Sequence, residues 1–153
     1  PLMLDDLGLT AAIEWLARET SRRMGIDVHL LSAEFDPGLG DKVSTALFRM
    51  VQEALTNIAR HAGATEVEIR IRTRRGRLVL TVTDNGVGFP ADALQREGSY
   101  GLMGMRERAQ MLGGSLTLEN LPQGGGCLTV SMPLDHAREP DAVPDPVAPG
   151  GPR

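Results

Sequence analysis

Hydrophobic and polar positions repeat with two different periods along the chain, and each period predicts a kind of element. Apolar residues recur at helical spacing over 4–24, with a helix entry at Leu9-Thr10 and Thr10 as N-cap, and over 42–62. Gly25 and Gly63 end these helices. A third helix is predicted from Gly101 to the Gly113-Gly114 pair. Alternation with period two predicts strands over 26–33, 66–72, 78–83, 115–121 and 128–132.

The order of these elements predicts the fold class. Most strands follow one another as hairpins, so we expect a mixed, mostly antiparallel sheet with the helices on one face. That is the α+β class, arranged as a two-layer α/β sandwich. Residues 90–100 have no clear period and are expected to form a mobile loop. Pro, Gly, Asp and Ala dominate residues 135–153, which predicts a disordered tail.

Composition narrows the class of protein. The 153 residues suffice for one domain, and 41% hydrophobic with 3% aromatic content predicts an aliphatic core. A net charge of −4 gives no general reason to expect nucleic-acid binding, and one cysteine, Cys127, excludes an internal disulfide. Without a long apolar run or a signal-peptide pattern, we expect a cytosolic domain. The chain begins at Pro1 without a methionine, so we expect a piece of a longer protein.

A line of polar residues runs along one side of the second helix. Glu53, Asn57 and His61 follow one another at intervals of four residues, and Arg60 lies beside them. Asn57 offers a neutral oxygen to a hard cation, Glu53 offers a carboxylate, and Arg60 and His61 can meet phosphate oxygens. Any one of these residues alone is typical of a polar helix flank, whereas the four together favour a binding site.

Two glycine clusters lie beyond that helix. The strand over 78–83 leads directly into Asp84, followed by Asn85, Gly86 and Gly88, so one acceptor stands beside a backbone that a flat ligand can approach. In isolation this motif is typical of a hairpin turn. The second cluster, over 98–104, opens the third helix; it predicts either an anion site at a helix N-terminus or a flexible loop.

Three motifs occur in an order and at spacings that resemble a known family. Gln52-Glu-Ala-Leu-Thr-Asn-Ile-Ala-Arg-His-Ala62, Asp84-Asn-Gly-Val-Gly-Phe89 and Gly101-Leu-Met-Gly-Met-Arg-Glu-Arg108 resemble the N box and the two glycine boxes of bacterial sensor histidine kinases. The nitrate/nitrite-sensor-like subgroup is the most similar. Leu4-Asp-Asp-Leu-Gly-Leu9 resembles the segment that follows the dimerisation helices there, so we expect a linker end over 1–9 and a catalytic domain over 10–134.

The resemblance implies the Bergerat ATP-binding fold of the GHKL superfamily, with ATP and Mg²⁺ as cofactors. On the base side, Asp84 would accept the adenine amino group and so select ATP over GTP. Gly86 and Gly88 would let the base and ribose approach, and residues 90–100 would be a short lid over the nucleotide.

The resemblance also implies roles on the phosphate side. Asn57 would ligate Mg²⁺, and Arg60 and His61 would contact phosphate or ribose. Glu53 stands where hydrolysing relatives carry a general base, and polarising a metal-bound water is the role preferred for it here. Backbone N–H groups at the start of the third helix would bind the phosphates, from Gly101, Leu102 and Gly104.

One position departs from the family pattern. The last hairpin of the family usually carries Gly-Thr, and this chain has Gly126-Cys127. The family's Thr commonly supports the base-binding Asp through water, and a thiol is a weaker hydrogen-bonding group, so the resemblance implies reduced nucleotide affinity. Thr83 and Thr129 are candidates to compensate.

The family's reaction needs a phosphoacceptor histidine on a dimerisation helix pair, and no such pair precedes residue 4. We therefore expect ATP and Mg²⁺ binding without autophosphorylation from this chain alone, which should be monomeric. The parent would be a homodimer that passes the phosphoryl group to the receiver domain of a response regulator. Whether the parent is anchored in a membrane stays open.

Three other hypotheses stay open from the sequence. An anti-sigma-factor serine kinase shares the fold, although 4–9 and the Arg-Glu-Arg helix argue against it. A non-catalytic interaction module is suggested by Cys127 alone and is opposed by Asn57 and Asp84. A hydrolysing ATPase of the gyrase or chaperone type is suggested by Glu53.

Overall fold

The computed structural model describes residues 2–32, 38–95 and 101–138 and contains a five-stranded sheet. The strand order is β1-β2-β3-β5-β4, in which β1 and β2 are parallel and the other pairs are antiparallel. This confirms the predicted mixed, mostly antiparallel sheet. The strands are β1 (Asp27–Leu31), β2 (Glu66–Arg74), β3 (Arg77–Asp84), β4 (Ser115–Asn120) and β5 (Gly126–Pro133).

Four α-helices and one π-helical turn accompany the sheet in the described ranges. They are α1 (Leu2–Met24), α2 (Asp41–Asn57), the π-turn (Ile58–Ala62), α3 (Leu102–Met111) and α4 (Leu134–Ala137). Helix α1 is interrupted at Gly8, whose φ of 88° is not helical. A new helical stretch begins after Gly8, close to the predicted entry at Leu9-Thr10, but the non-helical residue at this entry is Gly8 and not the predicted N-cap Thr10. Glycine adopts this φ without strain. Gly25 and Gly63 both have positive φ and end their helices as predicted.

The core lies between the helices and one face of the sheet. Alternate positions of β2, β3 and β5 are buried, whereas the positions between them are half-buried or exposed. Ile13 of α1, Val51 of α2 and Met105 of α3 are fully buried in the same cluster. The sandwich therefore has two layers, and its core is aliphatic apart from Phe48.

The parallel pair β1 and β2 requires a crossover connection, and α2 with the π-turn provides it. The end of this crossover meets the loop after β3, because the Val87 N–H donates to the Ala62 carbonyl at 2.9 Å. The Asn85 side chain accepts the N–H groups of Thr65 and Glu66 at 2.9 and 3.0 Å. These bonds place the end of the long helix beside the end of the central strand β3.

The C-terminal prediction needs one correction. Residues 135–138 are ordered, because Ala137 is fully buried and its carbonyl accepts the Gly40 N–H at 2.9 Å. The apolar residues Leu134 and Ala137 pack against the core. The composition of the tail as a whole, rich in Pro and Gly, did not indicate this packing. Residues 139–153 of the predicted tail and residues 96–100 of the predicted lid lie outside the described ranges. None of the helices described is long and apolar enough to cross a membrane.

Candidate functional site

A cavity opens between α2, the π-turn, the end of β3 and the start of α3. Five of the predicted site residues line it: Asn57, His61, Asp84, Gly88 and Leu102. Apolar neighbours complete its wall: Ala54, Ile58, Ala62, Val82, Phe89 and Leu128. The three motifs, which are far apart in the sequence, therefore meet at one concave, mostly apolar surface with a few polar groups, the usual character of a small-molecule site.

Asp84 is the most buried acidic side chain of the described residues, with 6% of its surface exposed. It is the last residue of β3 and continues the inward alternation of Leu80 and Val82. The Gly86 N–H donates to its Oδ1 at 2.7 Å. The carboxylate is thus held in one orientation at the wall of the cavity.

The glycines after Asp84 are required by protein contacts. A Cβ on Gly86 would overlap the Ala62 carbonyl, and a Cβ on Gly88 would lie 2.6 Å from Asn120 Oδ1. Gly88 also has a φ of 84°, which favours glycine. From the sequence, these glycines are expected to let a ligand approach the backbone. The structure adds that larger residues would not fit within the loop itself.

The polar line of α2 divides into two parts. Asn57 ends α2, and His61 lies in the π-turn, where the wider turn departs from the regular α-helix that the sequence predicted. Both still line the cavity. Glu53, one turn earlier, contacts α3 instead: its Oε1 lies 3.2 Å from Arg108 Nη2, and its Oε2 lies where a Cβ of Gly101 would be. Arg60 is exposed and is not among the cavity-lining residues.

Helix α3 points its N-terminus toward the cavity. Gly101 has a φ of 65°, and its carbonyl accepts the Met105 N–H at 3.1 Å as the first bond of the helix. The N–H groups of the first turn, over 102–104, have no acceptor within the helix. Because Leu102 lines the cavity, this partially positive helix end lies where an anion could bind.

The donor set suits Mg²⁺ held together with a nucleotide. Mg²⁺ usually keeps several waters and takes one or two protein oxygens plus substrate phosphates. Asn57, whose side chain carries an amide oxygen, lines the cavity. Residues 2–32, 38–95 and 101–138 contain no group of three or more His, Cys, Asp or Glu that could hold a metal by itself.

Cys127 lies at the start of β5, beside the end of β3. It pairs with Thr83 on the outer face of the sheet, and the Thr83 hydroxyl donates to its Sγ at 3.4 Å. Asp84 faces inward, because successive side chains of a strand point to opposite faces. The inward residue of β5 at this end is Gly126. The water-mediated support of Asp84 expected from position 127 stays a prediction.

Three residues that line or contact the site were not predicted as site residues from the sequence. Phe89 lines the cavity, Asn120 binds its backbone, and Arg108 pairs with Glu53. Phe89 and Arg108 lie within the recognised motifs, and this position could have indicated that they belong to the site. Nothing in the local pattern around Asn120 indicates its contact, which spans 31 residues.

Comparison with known proteins identifies the family. Residues 42–136 match the family described as histidine kinase-, DNA gyrase B- and HSP90-like ATPases, and the chain belongs to it. The chain is 40% identical over 140 residues to the sensor histidine kinase MctS of Rhizobium johnstonii. It is 37% identical over 136 residues to the histidine-protein kinase/phosphatase DegS of Brevibacillus brevis. The alignments cover 90% and 87% of this chain but only 30% and 34% of those proteins.

Solved structures agree with this assignment. The ATP-binding domain of PrrB from Mycobacterium tuberculosis superposes with a TM-score of 0.65 at 30% identity, over 81% of this chain and 92% of that one. The histidine kinase domain of a blue-light activated kinase from Erythrobacter litoralis gives 0.69 at 26% identity, over 83% and 61%. Within its family, the chain is therefore an ATP-binding catalytic domain of the histidine kinase type.

Proposed function

We propose that this domain binds Mg-ATP in the cavity between α2, β3 and α3 and presents the γ-phosphoryl group to a histidine on a separate dimerisation domain. The observation that carries the proposal is the meeting of Asn57, Asp84 and Leu102, one from each motif, at a single cavity. The nitrate/nitrite-sensor-like subgroup is proposed from the form of the N box and of the second glycine box.

On the base side, Asp84 accepts a hydrogen bond from the adenine amino group. Its burial and its bond from the Gly86 N–H support this role, because they hold a charged acceptor in a fixed direction where water has little access. Guanine presents an oxygen at the corresponding position and would be repelled by the carboxylate. Gly88 has no side chain, so the base and ribose can approach the backbone there.

On the phosphate side, the N–H groups at the start of α3, from Gly101, Leu102 and Gly104, would bind phosphate oxygens, and Asn57 would ligate Mg²⁺. Bound Mg²⁺ supplies charge neutralisation at the phosphates. His61, at the cavity wall, and Arg60, exposed beside it, contact phosphate or ribose. Glu53, which lies next to Gly101, would orient a water of the bound metal. These groups lower the barrier by position and charge, as phosphoryl transfer requires.

The chain spans about a third of the length of the curated relatives that it matches. We propose that its parent carries the phosphoacceptor histidine on a dimerisation domain, acts as a homodimer, and passes the phosphoryl group to an Asp of a response regulator's receiver domain. We place the domain in the cytosol, where ATP is available.

Calorimetric titration of the purified chain tests the nucleotide site directly. ATP should bind more tightly than GTP and more tightly with Mg²⁺ than without it. Asp84→Asn should weaken ATP by roughly 10- to 100-fold, because a hydrogen bond to a charged group contributes about 1.5–3 kcal/mol. Asp27→Asn makes the same change on an exposed β1 residue and should bind like the parent. A folded Asp84→Asn variant with unchanged ATP affinity would refute the assignment.

A further inference from the structure

Asn120, the last residue of β4, makes an unusual contact with the loop after β3. Its Oδ1 accepts the Phe89 N–H at 2.7 Å, and its Nδ2 donates to the Phe89 carbonyl at 2.9 Å. One side-chain amide therefore satisfies both backbone groups of one residue, as a neighbouring strand would. Gly88 leaves the space for this contact, since a Cβ there would lie 2.6 Å from Asn120 Oδ1.

The residue held in this way places an aromatic ring at the cavity. Phe89 lines the cavity together with Val82, Asp84 and Leu128. Its ring also lies against the backbone of Gly126, where an added Cβ would be 2.6 Å from Cε2 and 2.9 Å from Cδ2. The ring position thus depends on two contacts, the amide of Asn120 on its backbone and the bare backbone of Gly126 at its edge.

We propose that Asn120 is a positioning residue for the base side of the nucleotide site, acting through the ring of Phe89. The inference rests on the proposed function, since it names the wall that a purine packs against beside Asp84. A planar base packs well on an aromatic ring, and this contact is tolerant of base identity. Asp84 then supplies the preference for adenine, and Phe89 supplies affinity.

The contact is separable from the sheet itself. Asn120 pairs with Gly126 in the β4–β5 ladder through its backbone, and its side chain is exposed. Removing the amide leaves the strand pairing in place and releases only the Phe89 backbone. A role in nucleotide binding can therefore be measured without loss of the fold.

A double-mutant cycle tests the proposal with ATP as the ligand. Asn120→Ala should weaken ATP binding by roughly 5- to 10-fold, the value of one or two neutral hydrogen bonds, and should speed hydrogen exchange at the Phe89 amide. In a Phe89→Ala background the same substitution should change affinity less than about twofold, because coupled residues are not additive. Ser21→Ala, which removes the hydrogen bond to the Val28 N–H, is the distant control and should bind like the parent.

Gly126→Ala gives a second test that leaves Asn120 intact. Its methyl group should displace the ring and weaken ATP binding in the parent, and should be accommodated in the Phe89→Ala background. Equal effects of Asn120→Ala in both backgrounds would overturn the proposal, as would parental ATP affinity in Asn120→Ala or Gly126→Ala. If the parent binds ATP and these variants match it, only this inference fails; a folded parent that binds no ATP would refute the proposed function and this inference with it.

Discussion

Arg108 Nη2 lies 3.2 Å from Glu53 Oε1, so an ion pair joins the polar line of α2 to the helix that follows the second glycine cluster. Both side chains are substantially exposed, at 53% and 39%. The pair lies next to Gly101, whose missing side chain makes room for the other carboxylate oxygen. It therefore holds Glu53 at the phosphate end of the proposed nucleotide site and contributes little to the stability of the fold.

The first prediction concerns that ion pair. A double-mutant cycle of Glu53→Ala and Arg108→Ala, measured by urea unfolding, should give a coupling below about 1 kcal/mol that falls further in high salt. The exposed Arg22–Glu19 pair of α1 provides the matched control, with its N–O distance of 2.6 Å. A coupling above about 2 kcal/mol for Glu53–Arg108 would contradict the description of this pair as a weak, solvent-screened contact.

The second prediction concerns the proposed metal ligand. Asn57→Asp adds a charge beside the phosphates while keeping the size of the side chain. Without Mg²⁺, ATP binding should weaken roughly tenfold by repulsion, and Mg²⁺ should recover much of the loss because a carboxylate also ligates it. Gln52→Glu, an exposed position of the same helix, adds the same charge away from the cavity and should bind normally. Calorimetry at several Mg²⁺ concentrations separates these outcomes, and an unchanged Mg²⁺ dependence in Asn57→Asp would contradict the assignment.

Local patterns were sufficient for the sheet and for the direction of its side chains. The inward alternation of Leu78, Leu80 and Val82 continues in phase to Asp84, so its orientation toward the helices follows from the period of a strand. The same rule applied to β5 places Cys127 outward, out of phase with Leu128. The phase of the strand thus adds that Cys127 and Asp84 leave opposite faces of the sheet, while the expected water-mediated support of Asp84 stays a prediction.

Contacts between distant elements could not be predicted in the same way. The bonds between Asn120 and Phe89 depend on where β4 ends against the loop after β3, and the local sequence of neither segment contains that information. The π-turn likewise has no local indicator, since Ile58–Ala62 continues the helical period of α2. Such features form when distant segments of the chain come together, and here they lie around the cavity.

The third prediction tests the core of the sheet. Ile69 of β2 is fully buried on a strand that is paired on both sides, so Ile69→Ala should cost about 2–5 kcal/mol of unfolding free energy. Met111→Ala, at a side chain that is 84% exposed, should change it by less than about 0.5 kcal/mol. Urea denaturation measures both, and equal effects would contradict the assignment of the core to this face.

The fourth prediction uses two adjacent glycines of the β4–β5 hairpin. Gly124 and Gly125 have similar positive φ values of 107° and 99°, so alanine strains the backbone at either position. A Cβ added at Gly125 would overlap the Asp84 carbonyl. A Cβ added at Gly124 would have no atom within 4 Å. Gly124→Ala should therefore cost roughly 1–2 kcal/mol of stability and leave ATP affinity unchanged.

Gly125→Ala should cost more, at least ~2 kcal/mol, because the backbone of Asp84 must move as well. The same movement turns the carboxylate away from its place at the cavity wall, so ATP binding should weaken beyond the loss seen in Gly124→Ala. Urea unfolding and calorimetry on the two variants measure both effects. Equal stability and equal ATP affinity in the two variants would show that the approach of Gly125 to Asp84 does not position the carboxylate.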